Sequence, residues 1–240
     1  PSPLPPPASP ETGMPETMTR LPGGWSLVAQ DEVTSTMHAA RDHLRDGPDA
    51  VPFCVQAQMQ TGGYGREGRL WQSPKGNLHL TFACPLPVPL AEAPLLSPCV
   101  ALALIQALED CCGRAMRPLL KWPNDVLLPG GKVAGILLET VPREGGRPAW
   151  VLIGVGVNLF PPPNPEAIPY PAASLRAWGC SADPATLRDA LAAALSRTLQ
   201  LPLRCGWAAV LSRWLACASG QEEGQQSALK AFSGVSRVES

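Results

Sequence analysis

The chain has 240 residues and carries 19 Lys+Arg against 20 Asp+Glu, a formal net charge of −1. That length is ample for one large domain with a sizeable core, and a hydrophobic fraction of 45% fits a globular protein. Near-neutrality lacks the basic surplus of a nucleic-acid-binding protein, and no apolar run is expected to reach the roughly 18 residues of a bilayer span.

Taken in chain order, residues 1–22 are Pro-rich without apolar periodicity and are expected to be disordered, with Met18 a candidate start. They lack the basic start and apolar stretch of a secretory signal. Trp25 to Gln30 reads as a first strand. A helix is expected to begin after Ser35 or Thr36, good N-cap types, with Met37, Ala40 and Leu44 on one face and a stop at Gly47-Pro48. Val51 to Gln58 is strand-like, residues 61–68 form a Gly-rich loop, and Leu78 to Ala83 is the next strand. Ser97-Pro98 caps a helix that runs to about Cys112.

Strands are expected at about 117–128, 132–140 and 149–157, followed by a proline loop from Phe160 to Pro171. Asp183-Pro184 opens another helix, and a last one carries Trp207, Val210, Leu211, Trp214 and Leu215 on one face. From Ser219 the chain is polar, strandless and expected to fray. Strands joined by short turns, with helices set apart in sequence, predict an α+β fold and not a doubly wound α/β sheet.

None of the eight cysteines forms a C-x-x-C pair, and most sit in apolar stretches, which predicts reduced, structural thiols. His38, His43 and His79 lack metal-ligand spacing.

Chemistry concentrates in three stretches. In Thr61-Gly62-Gly63-Tyr64-Gly65-Arg66-Glu67-Gly68-Arg69 the glycines let backbone N–H groups approach a ligand, and Arg66 and Arg69 suit a phosphate or carboxylate. A hairpin loop with two solvated arginines is the plainer reading. Neither a P-loop nor a dinucleotide fingerprint in its strand–helix context is present. In Lys121-Trp122-Pro123-Asn124-Asp125, followed by Lys132 to Glu139, the proline turns the backbone beside an amide and a carboxylate, and Lys132 opens an apolar strand. A cation there must reach solvent or face an anion. Third, Gly154 and Gly156 interrupt a strand that ends at Asn158, a mark of close approach by a ligand or another backbone.

In this order the stretches resemble the biotin–protein ligases, whose pattern runs S-T-N, Q-T-A-G-R-G-R-x-G-R-x-W-x-S-P-x-G-N-L, K-W-P-N-D, K-x-x-G-I-L-x-E and G-x-G-x-N. The matching residues are Ser35-Thr36-Met37, Gln60 to Leu78, Lys121 to Asp125, Lys132 to Glu139 and Gly154 to Asn158, with Tyr170 to Leu175 a further family-like segment. The resemblance spans about residues 20–217.

It implies a mixed, largely antiparallel sheet with packed helices, the class II synthetase-like catalytic domain, over residues 23–217. It implies ATP-dependent formation of biotinyl-5′-AMP, then transfer of biotin to a lysine of a biotin carboxyl carrier protein. Lys132 and Arg66 are the implied catalytic residues. Ser35, Thr36, Met37, Gln60, Gly63, Tyr64, Gly65 and Gly135 join them around biotin, and Arg69, Trp71, Asn124, Asp125 and Asn158 around the nucleotide, with Mg²⁺ near Asp125. The implied setting is cytoplasmic, with no nucleic-acid or membrane partner, as a monomer or weak homodimer.

Tyr64 stands where the pattern has its first Arg, and Met37 replaces its Asn. Residues 218–240 look too short and polar for the family's SH3-like C-terminal domain, and no helix-turn-helix fits before Trp25, which disfavours a repressor role. The rival readings are a lipoate or octanoate ligase or transferase of the same fold, and a non-catalytic biotin-binding homologue.

Overall fold

The computed structural model describes residues 19–46, 51–143, 148–220 and 222–233. The expected helix stop at Gly47-Pro48 and residues 1–18 of the Pro-rich segment lie outside these residues. Residues 19–22, also expected to be disordered, are instead ordered: Leu21 is buried and its N–H donates to the Trp25 carbonyl at 2.8 Å.

Seven strands form one sheet: β1 (Ser26–Val33), β2 (Phe53–Gln60), β3 (Leu78–Pro85), β4 (Leu119–Lys121), β5 (Asp125–Leu128), β6 (Gly131–Val141) and β7 (Trp150–Val157). Their spatial order is β1-β2-β3-β7-β6-β5-β4. Only β1 and β2 run parallel, and α1 (Thr36–Asp46) makes the crossover that parallel strands need. The sheet is therefore mixed and largely antiparallel, as the α+β reading predicts.

Alternation sends the two faces of the sheet to two cores. Val151, Ile153 and Val155 of β7 join Leu78, Leu80 and Phe82 of β3 under the long helices α2 (Leu96–Cys112) and α3 (Pro184–Thr198). On the opposite face Trp150 and Leu152 pack with Phe53, Val55 and the apolar side of α1, Met37, Ala40 and Leu44. Gly154 and Gly156 continue the α1 face of β7, and there the smaller core gives way to a cleft.

The segment Leu90–Cys112, a 3-10 turn leading into α2, corrects the expectation that no apolar run reaches membrane-spanning length. Its 23 residues are long and apolar enough by length and composition, and 67% of its most apolar window is buried inside the fold. A helix apolar on all sides belongs in a core as readily as in a bilayer, and α2 lies against α3, α4 (Leu201–Cys217) and β6. Ser97 does not cap it. The helix begins a residue earlier, and the Ser97 hydroxyl donates to the Pro123 carbonyl 2.7 Å away. At α3 the expected cap is present: the Asp183 side chain accepts from the Thr186 N–H.

Two further expectations are corrected. The polar stretch after Ser219 holds a helix, α5 (Glu222–Ser233), with Ala228 and Phe232 buried. Phe232 lies with its centroid 6.4 Å from Trp122 and 5.8 Å from Trp207. Two apolar residues one helical turn apart were enough to dock it, despite polar neighbours. Nor are all the cysteines free: Cys112, at the end of α2, is disulfide-bonded to Cys180, just before α3. The packing of α2 on α3 brings together two residues 68 apart in sequence, a juxtaposition that spacing does not reveal. Cys54, Cys84 and Cys99 are buried thiols, and burial pushes Cys84 and Cys99 up to about 12.

Two stability measurements test this packing. Phe232→Ala should cost about 3 kcal/mol in urea unfolding, the usual order for a buried Phe lost from a packed cluster. His79, buried in β3, has Nε2 3.1 Å from the Pro74 carbonyl and an Nδ1 with no hydrogen-bond partner among the described residues. Burial lowers its pKa below the usual 6.5, only partly opposed by Pro74. Below pH 6.5 the unfolded chain therefore takes a proton that the folded one refuses. Unfolding free energy should fall as pH drops from 6.5 towards the folded value, by up to about 1.4 kcal/mol per unit, and His79→Gln should remove that component.

Candidate active site

A cleft of about 910 Å³ opens on the α1 face of the sheet. Its floor is set by strand register. Gly135 of β6 pairs with Gly156 of β7, and Leu137 pairs with Gly154. The missing side chains let others lie flat on the sheet. A Cβ on Gly156 would fall 2.5 Å from the Trp71 indole, one on Gly154 2.9 Å from Met37 Sδ, and one on Gly135 3.0 Å from Lys132 Nζ. The Gly-x-Gly spacing matters because residues two apart share a face.

Lys132 is the cation held over this strip. Its side chain is 13% exposed, and Nζ lies 2.7 Å from Asp125 Oδ1. The rings of Trp71 and Tyr170 flank it, with centroids 5.3 and 5.2 Å away. Tyr170 comes from the proline loop, which returns to β6: the Lys132 N–H donates to the Pro171 carbonyl at 2.9 Å, and the Ala173 N–H to the Lys132 carbonyl at 3.0 Å. Burial and the Asp125 carboxylate both raise the Tyr170 pKa, so its ring stays neutral. A desolvated ammonium between two π faces and one carboxylate is held without being fully neutralised.

One wall is a relay of polar side chains. The Thr36 N–H and Thr36 hydroxyl both donate to Gln60 Oε1, at 2.8 and 3.1 Å, and the Thr81 hydroxyl donates to Thr36 Oγ1 at 2.9 Å. Gln60 Nε2 donates to Ser73 Oγ at 2.7 Å, and Ser73 donates to the Trp71 carbonyl at 3.1 Å. Ser35 caps α1, its Oγ accepting from the Met37 N–H. The N-terminus of α1, where partial positive charge collects, thus faces the cleft.

The glycine loop forms the roof. It is a small hairpin in which the Gly65 N–H donates to the Arg69 carbonyl at 2.8 Å and the Trp71 N–H to the Gly63 carbonyl at 3.0 Å. Arg66 and Arg69 line the cleft from it, and Arg69 pairs with Glu67 at 2.6 Å. The opposite rim is the Trp122-Pro123-Asn124 turn, whose Trp122–Pro123 peptide is cis. Asn124 there donates to the Ile136 carbonyl at 2.9 Å. Arg66, Arg69, Lys121 and Lys132 line the cleft against Glu67 and Asp125, four cations to two carboxylates. That surplus suits an anionic ligand.

Of the residues singled out from sequence, Ser35, Thr36, Met37, Gln60, Tyr64, Gly65, Arg66, Arg69, Trp71, Asn124, Asp125, Lys132 and Gly135 line this one cleft. Gly63 and Asn158 are not among the residues that line it. Gly63 sits behind the wall, where a Cβ would fall 2.5 Å from Ser73 Oγ and 2.8 Å from Gln60 Nε2. Asn158 is buried, and its amide donates to the Ala173 carbonyl at 3.3 Å, stitching the end of β7 to the segment after the proline loop. Sequence reasoning did not name Tyr170, which lines the cleft, or Glu139, which lies outside the lining but holds Tyr64. Both lay inside family-like segments, but contact with Lys132 and Tyr64 is a matter of tertiary packing.

The chain matches the family model "Biotin/lipoate A/B protein ligase family" over residues 29–158. It is 42% identical over 169 residues to a biotin–[acetyl-CoA-carboxylase] ligase of Paracoccus denitrificans, covering 69% of this chain and 70% of that protein. It is 34% identical over 142 residues to the bifunctional ligase/repressor BirA of Bacillus subtilis, covering 59% of this chain but only 42% of that protein. Among solved structures it is similar to the biotin protein ligase of Leishmania major in complex with biotinyl-5-AMP, with TM-score 0.67 and 27% identity, covering 80% of this chain and 81% of that one.

The glycine strip can be tested without any ligand. Gly156→Ala should destabilise the fold by about 1–3 kcal/mol in urea unfolding, because the new methyl meets the Trp71 ring in packed surroundings. Gly65→Ala, whose Cβ would come no nearer than 3.8 Å to the Arg69 carbonyl, should leave stability unchanged.

Proposed function

The chain belongs to the biotin/lipoate A/B protein ligase family, and we propose that it is an ATP-dependent biotin–protein ligase. It joins biotin to the α-phosphate of ATP, giving biotinyl-5′-AMP and pyrophosphate. It then passes biotin to the side-chain amine of a lysine on a biotin carboxyl carrier protein, such as that of acetyl-CoA carboxylase, with release of AMP. The observation that carries this reading is the Lys132 ammonium, held over the glycine strip inside a cleft with a surplus of positive charge.

The residues divide the work along the cleft. Ser35, Thr36 and Gln60 present polar atoms at the α1 end for biotin, over an apolar floor that includes Met37 and Leu137. Lys132 stands where carboxylate and α-phosphate meet. There a carboxylate oxygen bonds to phosphorus, the pyrophosphate oxygen leaves, and negative charge builds on the phosphoryl oxygens. A preorganised cation in a partly shielded cleft stabilises that charge more than it stabilises the separated reactants. Arg66 and Arg69 neutralise phosphate from the roof, and Trp71 and Asn124 hold the nucleotide. The covered roof also keeps water from the mixed anhydride until the carrier lysine arrives, when its nitrogen attacks the biotinyl carbon and AMP departs.

A Mg²⁺ ion on the triphosphate takes one or two protein carboxylates, with phosphate and water oxygens completing its shell. Asp125 fits that donor set, and no group of three His, Cys, Asp or Glu able to cage a metal occurs among the described residues. The ion would screen phosphate charge at the entrance to the Lys132 site. The proposal includes a monomer or weak homodimer as the working unit.

Biotin-dependent exchange of labelled pyrophosphate into ATP tests the first step directly. Lys132→Ala should lower that exchange by about 100- to 1,000-fold, the usual loss when one preorganised charge-stabilising group is removed. A wild-type protein that exchanges with lipoate or octanoate and not with biotin would move the chain to the other branch of its family, and no exchange with any acid would end the ligase reading.

A further inference from the structure

Tyr64 occupies the place where the resembling pattern has an arginine, and it makes a contact that an arginine would make differently. Its hydroxyl donates to Glu139 Oε1 at 3.1 Å, and the other oxygen of Glu139 is paired with Arg41 of α1. The Tyr64 ring lies 5.3 Å from the His38 ring, also on α1. Glu139 stands on β6 and is itself partly sheltered, 25% exposed. One side chain at the base of the roof is thereby tied to both elements that flank the cleft. Tyr64 also forms the bridge to Leu70 that closes the hairpin. Whatever fixes Tyr64 fixes the hairpin that carries Arg66 and Arg69.

We propose that Tyr64 is a positioning residue of this ligase: its hydroxyl, held by the Glu139 carboxylate that Arg41 orients, anchors the glycine hairpin over the cleft before any ligand binds. The inference rests on the ligase reading for its consequence in turnover, though not for the anchor itself. A guanidinium at this position would bring a full positive charge to the cleft. A tyrosine brings none, so neutralisation of the bound anion falls to Arg66, Arg69 and Lys132 while residue 64 serves as a fastening. An arginine could pair with Glu139 by charge alone; the neutral tyrosine needs its hydroxyl, so removing one oxygen atom isolates the effect.

The experiment uses the full chain. Biotinyl-5′-AMP is formed in a single turnover with biotin and ATP, and its release is followed by chase with excess unlabelled biotin and ATP. Tyr64→Phe and Glu139→Ala should each speed release about tenfold, the worth of one hydrogen bond to a charged acceptor. The double variant should release no faster than either single one. Glu139→Gln, which keeps an acceptor oxygen for the hydroxyl but loses the charge that Arg41 orients, should fall between wild type and Glu139→Ala. In parallel, trypsin should cut after Arg66 or Arg69 in the ligand-free Tyr64→Phe protein several times faster than in wild type. Wild-type rates of both release and cleavage in Tyr64→Phe, or independent, multiplying effects of Tyr64→Phe and Glu139→Ala, would overturn the anchor. If the wild-type protein makes no adenylate, the ligase reading fails instead, and the trypsin comparison still decides the anchor.

Discussion

An ammonium group kept charged away from open water is the constraint on which the cleft is built. Lys132 must lie low on the sheet, where a carbonyl or phosphoryl oxygen can reach it, and yet must not pay the full cost of desolvation. Three contacts resolve this: the Asp125 carboxylate and the faces of Trp71 and Tyr170. The Lys132 and Trp71 side chains can lie this low only because the strands beneath lack side chains at Gly135 and Gly156. The Gly135–Gly156 pair therefore matters more for what it leaves out than for backbone freedom. The proline loop that returns to β6 supplies Tyr170 and fixes the Lys132 backbone on the edge opposite β5, beyond the end of β7.

Much of this was legible in the sequence because it is local. The glycine hairpin, the Trp-Pro-Asn-Asp turn and the Gly-x-Gly strand each carry their geometry in a few adjacent residues, and each forms part of one cleft wall. The fold class was equally readable: six strand-like stretches with helices set apart form a mixed sheet, the stretch at 117–128 dividing into β4 and β5, and the crossover between β1 and β2 is the helix that parallel pairing requires. Element ends were less so. β1 runs on to Val33 through Asp31 and Glu32, polar residues that an alternation rule reads as a turn but that pair with β2 along an exposed edge.

What stayed hidden depends on contacts between distant residues. The Cys112–Cys180 disulfide follows from the packing of α2 on α3. The helix α5 is polar along most of its length, and Trp122 and Trp207, outside the helix, are among the residues Phe232 buries against. Asn158, an amide at the end of a glycine strand, gives a hydrogen bond to the chain that follows the proline loop, a tertiary contact the sequence did not show. A polar residue near a site serves the backbone whenever an unsatisfied carbonyl lies nearer than the ligand.

The wall from Thr81 to Trp71 has a direction. The Thr36 backbone N–H can only give a hydrogen, so the amide of Gln60 must turn its oxygen towards α1 and its nitrogen towards Ser73. That single choice obliges Thr36 to give its hydroxyl hydrogen to the amide oxygen, Thr81 to give its own to Thr36, and Ser73 to pass its own to the Trp71 carbonyl. Every hydroxyl in the row has spent its proton. Apart from the second N–H of Gln60 Nε2, the row has only lone pairs left to offer, so its hydroxyls can greet a guest bearing N–H but not one that arrives with bare oxygen.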